Sequence, residues 1–352
     1  MAFLTIPANT ARRVNGIGPR TAKIAIVGEA PGAYEDAQLK PFVGPAGGVL
    51  EQCLHAAGLI RSDVYLTNVI KVRPSNNNIS PFFDGKSFSA EGMEYVHELR
   101  SELDELRPNI VVACGKTAMA ALTGQTAITK LRGYVLDTID MQYVRKCIPC
   151  IHPAACLYGR TGGDHGGLAT SSVKPYLYRY VIICDLKKAK AQSTTPELIR
   201  PARQLVYNFA NVNEVLEWLQ YFAAQPLVSF DIEVMNYEVS CISFSSSPEI
   251  AASIPIAQSW NESDEAQIWR GIQAVLGNPK SIKVGQNLVF DCHFLLTRCG
   301  VEVRGEIQDT MIAHSIIYPE LPKGLGFLGS VYCGSQAYWK DLIKWDNIKE
   351  ES

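Results

Sequence analysis

Four residues in the first half of the chain could act together on a planar polar ring: Glu29, Phe42, Asn68 and His152. Glu29 opens the stretch GEAPGAYEDAQLKPFVGPAGG (28–48), which follows the apolar, β-prone run Ile24-Ala25-Ile26-Val27 and precedes a helix-like segment, 49–54. Glycines and prolines there bracket carboxylates and an aromatic ring. That is the layout of a loop at the carboxyl end of a strand, where α/β sheets place ligands. A carboxylate one residue past a strand, between Gly28 and Ala30, can be held rigidly and aimed at a ligand; an inert loop carboxylate has the same local sequence. Phe42, in Lys40-Pro41-Phe42-Val43-Gly44, supplies a stacking ring or an ordinary core ring. Asn68 ends the strand-like run Tyr65-Leu66-Thr67-Asn68-Val69. Its amide can read an edge that carries O and N–H side by side, or bond its own backbone in a turn. His152, in the run IHPAA, has a structural reading as well as a catalytic one. Each residue has a plain explanation alone; four in strand-end contexts of one α/β segment point to a pocket.

A second group lies further along. Asp231-Ile232-Glu233 puts two acids on one face of a β-prone run, 227–234, because strand side chains alternate with period two. Such acids are costly on a dry face unless they bind a cation, and unremarkable on a wet edge strand. Asp291 closes Val284-Gly285-Gln286-Asn287-Leu288-Val289-Phe290-Asp291, with Asn287 one helical turn before it.

These residues need a frame. The 352 residues suffice for two domains of about 150 residues each. Strand signals at 23–28, 64–70, 109–114, 133–136, 147–152 and 181–184 alternate with helix signals at 47–57, 91–107 and 116–122. That alternation predicts a parallel or mostly parallel sheet with helices on both faces. Residues 187–203, KKAKAQSTTPELIRPAR, are basic, hold two prolines and read as a linker. A second α/β unit follows, with helices at 213–224 and 263–276, strands at 227–234, 241–245, 251–256 and 281–284, and 287–299 beyond them.

The formal net charge of −2 leaves any nucleic-acid surface to a local basic patch. No apolar run approaches the roughly 18 residues of a membrane helix. The start, MAFLTIPANTARR, lacks the charge-then-apolar order of a secretory signal. Ten scattered cysteines fit reduced thiols, so a cytoplasmic protein without membrane partners is expected. The one C-x-x-C, Cys147 to Cys150, lies in a strand-like run and reads as buried free thiols.

Over about residues 20–190 the chain resembles the uracil-DNA glycosylase superfamily, most closely its type 4 branch. The resemblance is carried by Gly28-Glu29-Ala30-Pro31-Gly32 with Glu35-Asp36, Pro41-Phe42-Val43-Gly44 with Ala46-Gly47, Thr67-Asn68-Val69 with Lys71 and Arg73-Pro74, and His152-Pro153-Ala154-Ala155. It implies a three-layer α/β/α fold and a DNA substrate, single- or double-stranded, whose uracil is met outside the stack. It assigns uracil binding to Phe42, Asn68, Gly28 and Ala30: Phe42 stacks on the base and Asn68 reads its O4/N3 edge. His152 stabilises the departing uracil anion. Glu29 positions or deprotonates the attacking water. Asp36 and Glu35 support the loop, with Glu35 also set against the C5 methyl of thymine. The segment 156–160 becomes a wedge into the base stack. Two departures matter. Type 4 members carry four cysteines for an iron–sulfur cluster; here no C-x-x-C precedes Gly28, and Val72 holds the place of a ligand cysteine, so no cluster is expected. The branch that traps DNA covalently uses a histidine in a basic loop, which 75–80 lacks.

Over about 204–345 the chain resembles the 3′–5′ exonuclease domain of family A DNA polymerases, a ribonuclease H-like α/β fold. Ser229-Phe230-Asp231-Ile232-Glu233, Gly285-Gln286-Asn287 through Asp291, Asp309-Thr310-Met311 with Ala313-His314, and 325–328 carry it. It implies Mg or Mn held by Asp231, Glu233 and Asp291, with Asn287 orienting DNA 3′ ends. The last motif, Tyr-x-x-x-Asp, is not found: Tyr338 precedes Asp341 by one residue too few. The expected organisation is a glycosylase-like domain at 1–190, a linker at 191–203 and a C-terminally incomplete exonuclease-like domain at 204–352. A partner such as a polymerase chain could supply the missing acid, and a bacterial or phage-infected cell is the expected setting. The main function implied is uracil excision beside a replication fork. The alternatives are a non-catalytic uracil-sensing module and a protein that is mainly an exonuclease.

Overall fold

A computed structural model describes residues 12–157, 175–199, 202–257 and 260–333. The chain divides into two compact units, Met1–Ile199 with Gly326–Ser352, and Arg200–Leu325.

The first unit is built on five strands: β1 (Ile24–Gly28), β2 (Val64–Asn68), β5 (Ile110–Cys114), β6 (Leu136–Asp137) and β7 (Lys146–Cys150). A separate small hairpin, β3 (Phe83–Asp84) with β4 (Ser87–Phe88), lies between β2 and β5 in the chain. The sheet order is β2-β1-β5-β7-β6, parallel except for β6. All residues of β1, β2, β5 and β7 are buried, which is why β1 and β5 read as continuous apolar runs. Among the described residues the helices of this unit are α1 (Ala33–Gln38), α2 (Pro45–Ala56), α3 (Ala90–Leu106), α4 (Lys116–Thr123), α5 (Ile128–Leu131), α6 (Tyr178–Gln192) and α11 (Leu325–Tyr332). Ala25, Val27, Val111 and Ala113 pack one sheet face against Val96, Leu99 and Leu103 of α3 and Ala118 and Leu122 of α4. On the alternate face α6 packs against β5, β7 and α2. The expected α/β/α layering is therefore present.

Three local readings change. Residues 181–184 are helical, not a strand: Val181, Ile182, Asp185, Leu186 and Ala189 are buried at helical spacing. The β-branched run at 181–183 fits either period when read in isolation. The same helix runs on to Gln192, so the first part of the basic linker stretch is helical. The 133–136 signal becomes β6 at Leu136–Asp137, an antiparallel edge strand. Cys147 and Cys150 are free and fully buried on β7, and burial pushes the Cys147 thiol well up. The far end of the proposed wedge, 158–160, lies outside the described residues, as do Tyr338 and Asp341.

Helix α11 follows the whole second unit in sequence yet groups with the first. Tyr134 donates its hydroxyl to Gly326 O at 2.6 Å, and the Arg132 guanidinium stacks over Phe327 at 5.5 Å. Arg132 pairs with Asp185, and both are essentially fully buried. Arg132 also donates to Ser330 Oγ at 2.8 Å. Lys188 Nζ donates to Gly133 O, Ser330 O and Cys333 O at 2.7, 2.6 and 2.6 Å. Burial pushes this ammonium down to about 8. Gly133 has φ +76°, and a Cβ there would lie 2.5 Å from Ser330 O.

The second unit is a six-stranded sheet of β8 (Gln204–Val206), β9 (Leu227–Met235), β10 (Glu238–Ser247), β11 (Ile250–Pro255), β12 (Ile282–Gly285) and β13 (Ile307–Asp309). Its order is β13-β12-β9-β10-β11-β8. The β9-β10-β11 meander is antiparallel; β12 lies parallel to β9, and β13 to β12. Helices α7 (Val212–Ala223) and α8 (Glu262–Leu276) pack together, and Phe222, Ile268 and Ile272 close the core over Phe230, Ile242 and Phe244. Helices α9 (Leu288–Cys299) and α10 (Thr310–Ile317) complete the unit. The short flanking strands β8 and β13 carry no apolar alternation long enough to be read from sequence.

Candidate active site

In the first unit β1 lies between β2 and β5, so successive strands leave β1 in opposite directions. That is a topological switch point, and its carboxyl-end crevice is where ligands bind in open α/β sheets. Glu29 follows β1, Asn68 ends β2 and Thr117 follows β5, all at this edge.

Gly28 and Asn68 are register partners on β1 and β2. A Cβ on Gly28 would lie 2.4 Å from Asn68 Oδ1 and 2.7 Å from Phe42 Cζ. The bare backbone at Gly28 is therefore what lets amide and ring converge. Phe42 holds a left-handed backbone at φ 53°, an uncommon state for a bulky residue. Arg61 fixes it by donating to Pro41 O at 2.7 Å and Phe42 O at 3.0 Å. Gly47 lets this turn close, since a Cβ there would stand 2.0 Å from Phe42 O. Glu35 accepts from the N–H groups of Gly32, Val43 and Gly44 at 3.2, 3.1 and 2.8 Å. Its carboxylate thus braces the Phe42 loop. Asp36 lies beside it in the first turn of α1.

Asn68 is buried, and a polar cluster lies behind it. Lys71 Nζ donates to Thr67 Oγ1 at 2.6 Å and pairs with Glu102, which also accepts from Tyr65 OH at 2.7 Å. A buried, mutually satisfied network of this kind fixes a strand end rigidly. Glu102 is 31 residues from Lys71 on α3, so no local pattern announced it.

His152 caps the turn 153–156: its Nδ1 accepts from Ala154 N–H at 3.2 Å. The proton of the neutral ring is then on Nε2, which makes that atom a donor. The ring stacks on Phe42 with centroids 6.2 Å apart and planes 25° apart. Thr117 donates its hydroxyl to Glu29 Oε2 at 2.5 Å. Glu29, Ala30, Thr117 and His152 share a cavity of about 580 Å³, whose lining also includes Asn77, Ser80 and Lys86. The structure thus brings Glu29, Ala30 and His152 to one cavity; Phe42 faces the ring of His152, and Phe42 and Asn68 both approach Gly28, the residue before Glu29. Thr117 is a cavity residue bonded to Glu29 that sequence reading missed; the signal was Gly115-Lys116-Thr117 directly after the apolar run of β5.

The position at which the resemblance puts an iron–sulfur ligand holds an apolar side chain, Val72. Val72 is packed in the core and bridged to Arg13, and no cysteine occurs before Cys53.

In the second unit Asp231 and Glu233 are exposed on one face of β9, and Ile232 between them is buried. Asp291 is buried in the first turn of α9, and its Oδ1 accepts from Ile232 N–H at 3.0 Å. Burial pushes its carboxyl up, Ile232 N–H pulls it down, and the nearby Asp309 and Glu233 charges raise it again. Asn287 begins α9 in a left-handed conformation, φ 61°. Asp309 is engaged elsewhere: it accepts from the N–H groups of Asn287, Leu288, Met311 and Ile312 at 3.2, 2.7, 2.8 and 3.3 Å. Among the described residues no three His, Cys, Asp or Glu come together to hold a metal ion. Glu233 and Asp309 nonetheless lie near enough to Asp291 for their charges to act on its carboxyl.

Comparison with known proteins follows the same division. Residues 15–172 match the uracil DNA glycosylase superfamily, and residues 208–348 match a 3′-5′ exonuclease family. The type-4 uracil-DNA glycosylase of Archaeoglobus fulgidus is 38% identical over 151 residues, 41% of this chain and 72% of that protein. That of Thermotoga maritima is 32% identical over 185 residues, covering 52% and 84%. A DNA polymerase of Bacillus phage SP01 is 32% identical over 157 residues, 44% of this chain but 16% of that protein. Among solved structures, Escherichia coli RNase D aligns with a TM-score of 0.32 at 17% identity. That alignment covers 41% of this chain and only 36% of RNase D.

Proposed function

The chain belongs to the type-4 uracil-DNA glycosylase family through its first unit, and from that membership we propose that it excises uracil from DNA by hydrolysing the N-glycosidic bond. The convergence of Gly28, Phe42 and Asn68 beside a cavity lined by Glu29 and His152 carries this reading. A flipped uracil stacks on Phe42 and presents its O4 and N3–H to the Asn68 amide; cytosine offers that amide the wrong donors. His152 donates from Nε2 to O2 and stabilises the anion as the glycosidic bond breaks. Glu29 orients and deprotonates water on the sugar side, and its charge offsets the positive sugar. Glu35 holds the loop that presents Phe42.

This reading includes no iron–sulfur cluster, because Val72 stands where the resemblance places a ligand. The test uses one purified sample. Uracil-containing oligonucleotide, single- and double-stranded, should yield alkali-labile abasic sites in EDTA, and the sample should contain negligible iron. Failure to release uracil from either strand form sinks the proposal and favours a uracil-sensing role.

A second reading rests on the family match of residues 208–348. It gives the second unit metal-dependent action on DNA 3′ ends, with Asp231 and Glu233 as exposed donors. Degradation of a 3′-labelled strand should then require magnesium or manganese and disappear in Asp231→Ala. Inactivity of the wild type in both metals would count against it. A polymerase chain as partner belongs to the same reading.

A further inference from the structure

We propose that Thr117 is a positioning residue that holds the Glu29 carboxylate in its productive orientation; this rests on the glycosylase reading above. The turn after β5 reaches both sides of the pocket. Its first residue, Gly115, has φ +93°, and a Cβ there would lie 3.3 Å from His152 Cβ. Its amide donates to Cys150 O at 2.8 Å, which ties the turn to β7 just before His152. Two residues on, Thr117 is 5% exposed and donates to Glu29 Oε2.

Glu29 has no other side-chain hydrogen bond among the described residues. A glutamate at the mouth of a loop has several rotamers, and one bond from a rigid helix start selects among them. With Oε2 engaged by Thr117, Oε1 is the atom left to take a water proton. Helix α4 packs on β1 and β5, so the donor is anchored to the strand that carries its acceptor. The hydroxyl remains a donor throughout: no proton leaves Thr117 during turnover. Misplacement of a catalytic group by about 1 Å can cost a hundredfold in rate.

The test compares Thr117→Val, which keeps shape and loses the donor, with Thr117→Ser, which keeps the donor. In single-turnover uracil release, Thr117→Val should lower the maximal rate by about ten- to a hundredfold, as expected for one hydrogen bond to a charged group. The half-saturating enzyme concentration should stay close to wild type. Thr117→Ser should recover most of the rate. In a Glu29→Gln background the Val substitution should cost little more, because the orientation it fixes no longer matters to a charge. A merely structural threonine would instead give additive losses, and Ser would not restore the rate selectively. Equal rates for wild type and Thr117→Val, or full additivity with Glu29→Gln, overturn the role while leaving the glycosylase reading intact. Absence of release by the wild type overturns both.

Discussion

Glu29→Gln lowers the single-turnover rate of uracil release by about 10²- to 10⁴-fold, the span of a positioned general base, with little change in oligonucleotide affinity. Glutamine has the size of glutamate and still offers Thr117 an oxygen to bond, so loop and cavity keep their shape. What is lost is the negative charge facing the sugar and the atom that accepts the water proton. Because Glu29 lines the cavity together with His152, its charge acts where the bond breaks. The stacking and edge-reading residues, Phe42 and Asn68, are untouched, so binding survives while chemistry does not. Rate measurement at saturating enzyme, paired with fluorescence anisotropy, separates the two. A loss below about tenfold, some 1.4 kcal/mol of barrier, would show that the charge does not serve the chemical step.

Asp185→Ala destabilises the first unit by about 3–5 kcal/mol, because it leaves the Arg132 guanidinium buried without its counter-charge. Arg132 is 1% exposed and Asp185 wholly buried, so water cannot take the place of the lost carboxylate. Ser330 Oγ and the Phe327 ring remain as neutral neighbours and do not replace a charge. The double change Arg132→Met with Asp185→Leu should recover most of the loss, since apolar side chains of similar volume often replace buried pairs at little cost. Urea unfolding followed by uracil release reads the first unit selectively. Equal destabilisation by the single and double variants would show that packing, not the orphaned charge, sets the effect.

The pocket residues were legible because each is announced locally. Glu29 and Asn68 end apolar runs, Phe42 sits between proline and glycine, and His152 precedes a proline. Glu35, close in sequence to the Phe42 loop that it braces, was legible too, whereas residues whose partners lie far away in sequence were not. Thr117 meets Glu29 across 88 residues, and Arg132 meets Asp185 across 53. Periodicity alone also could not arbitrate 181–184, where a short β-branched run sits inside a helix whose buried face emerges only over its whole length. In the second unit the alternation of Asp231 and Glu233 was readable, whereas Asp309's engagement with four backbone amides depends on where α9 begins.

The return of α11 to the first unit has a consequence for synthesis. Arg132, Asp185 and Lys188 leave the ribosome before the stretch Arg200–Leu325, and Ser330 leaves only after it. At roughly 5–20 residues per second that interval is on the order of ten seconds. Through it Arg132 and Lys188 lack the partners that Ser330 and Cys333 will supply. The carbonyls at Ser330 and Cys333 that Lys188 will bond arrive last. The unit that is begun first is thus completed only after its neighbour has been made, and a chain cut short within the second unit would lack the segment that closes the first.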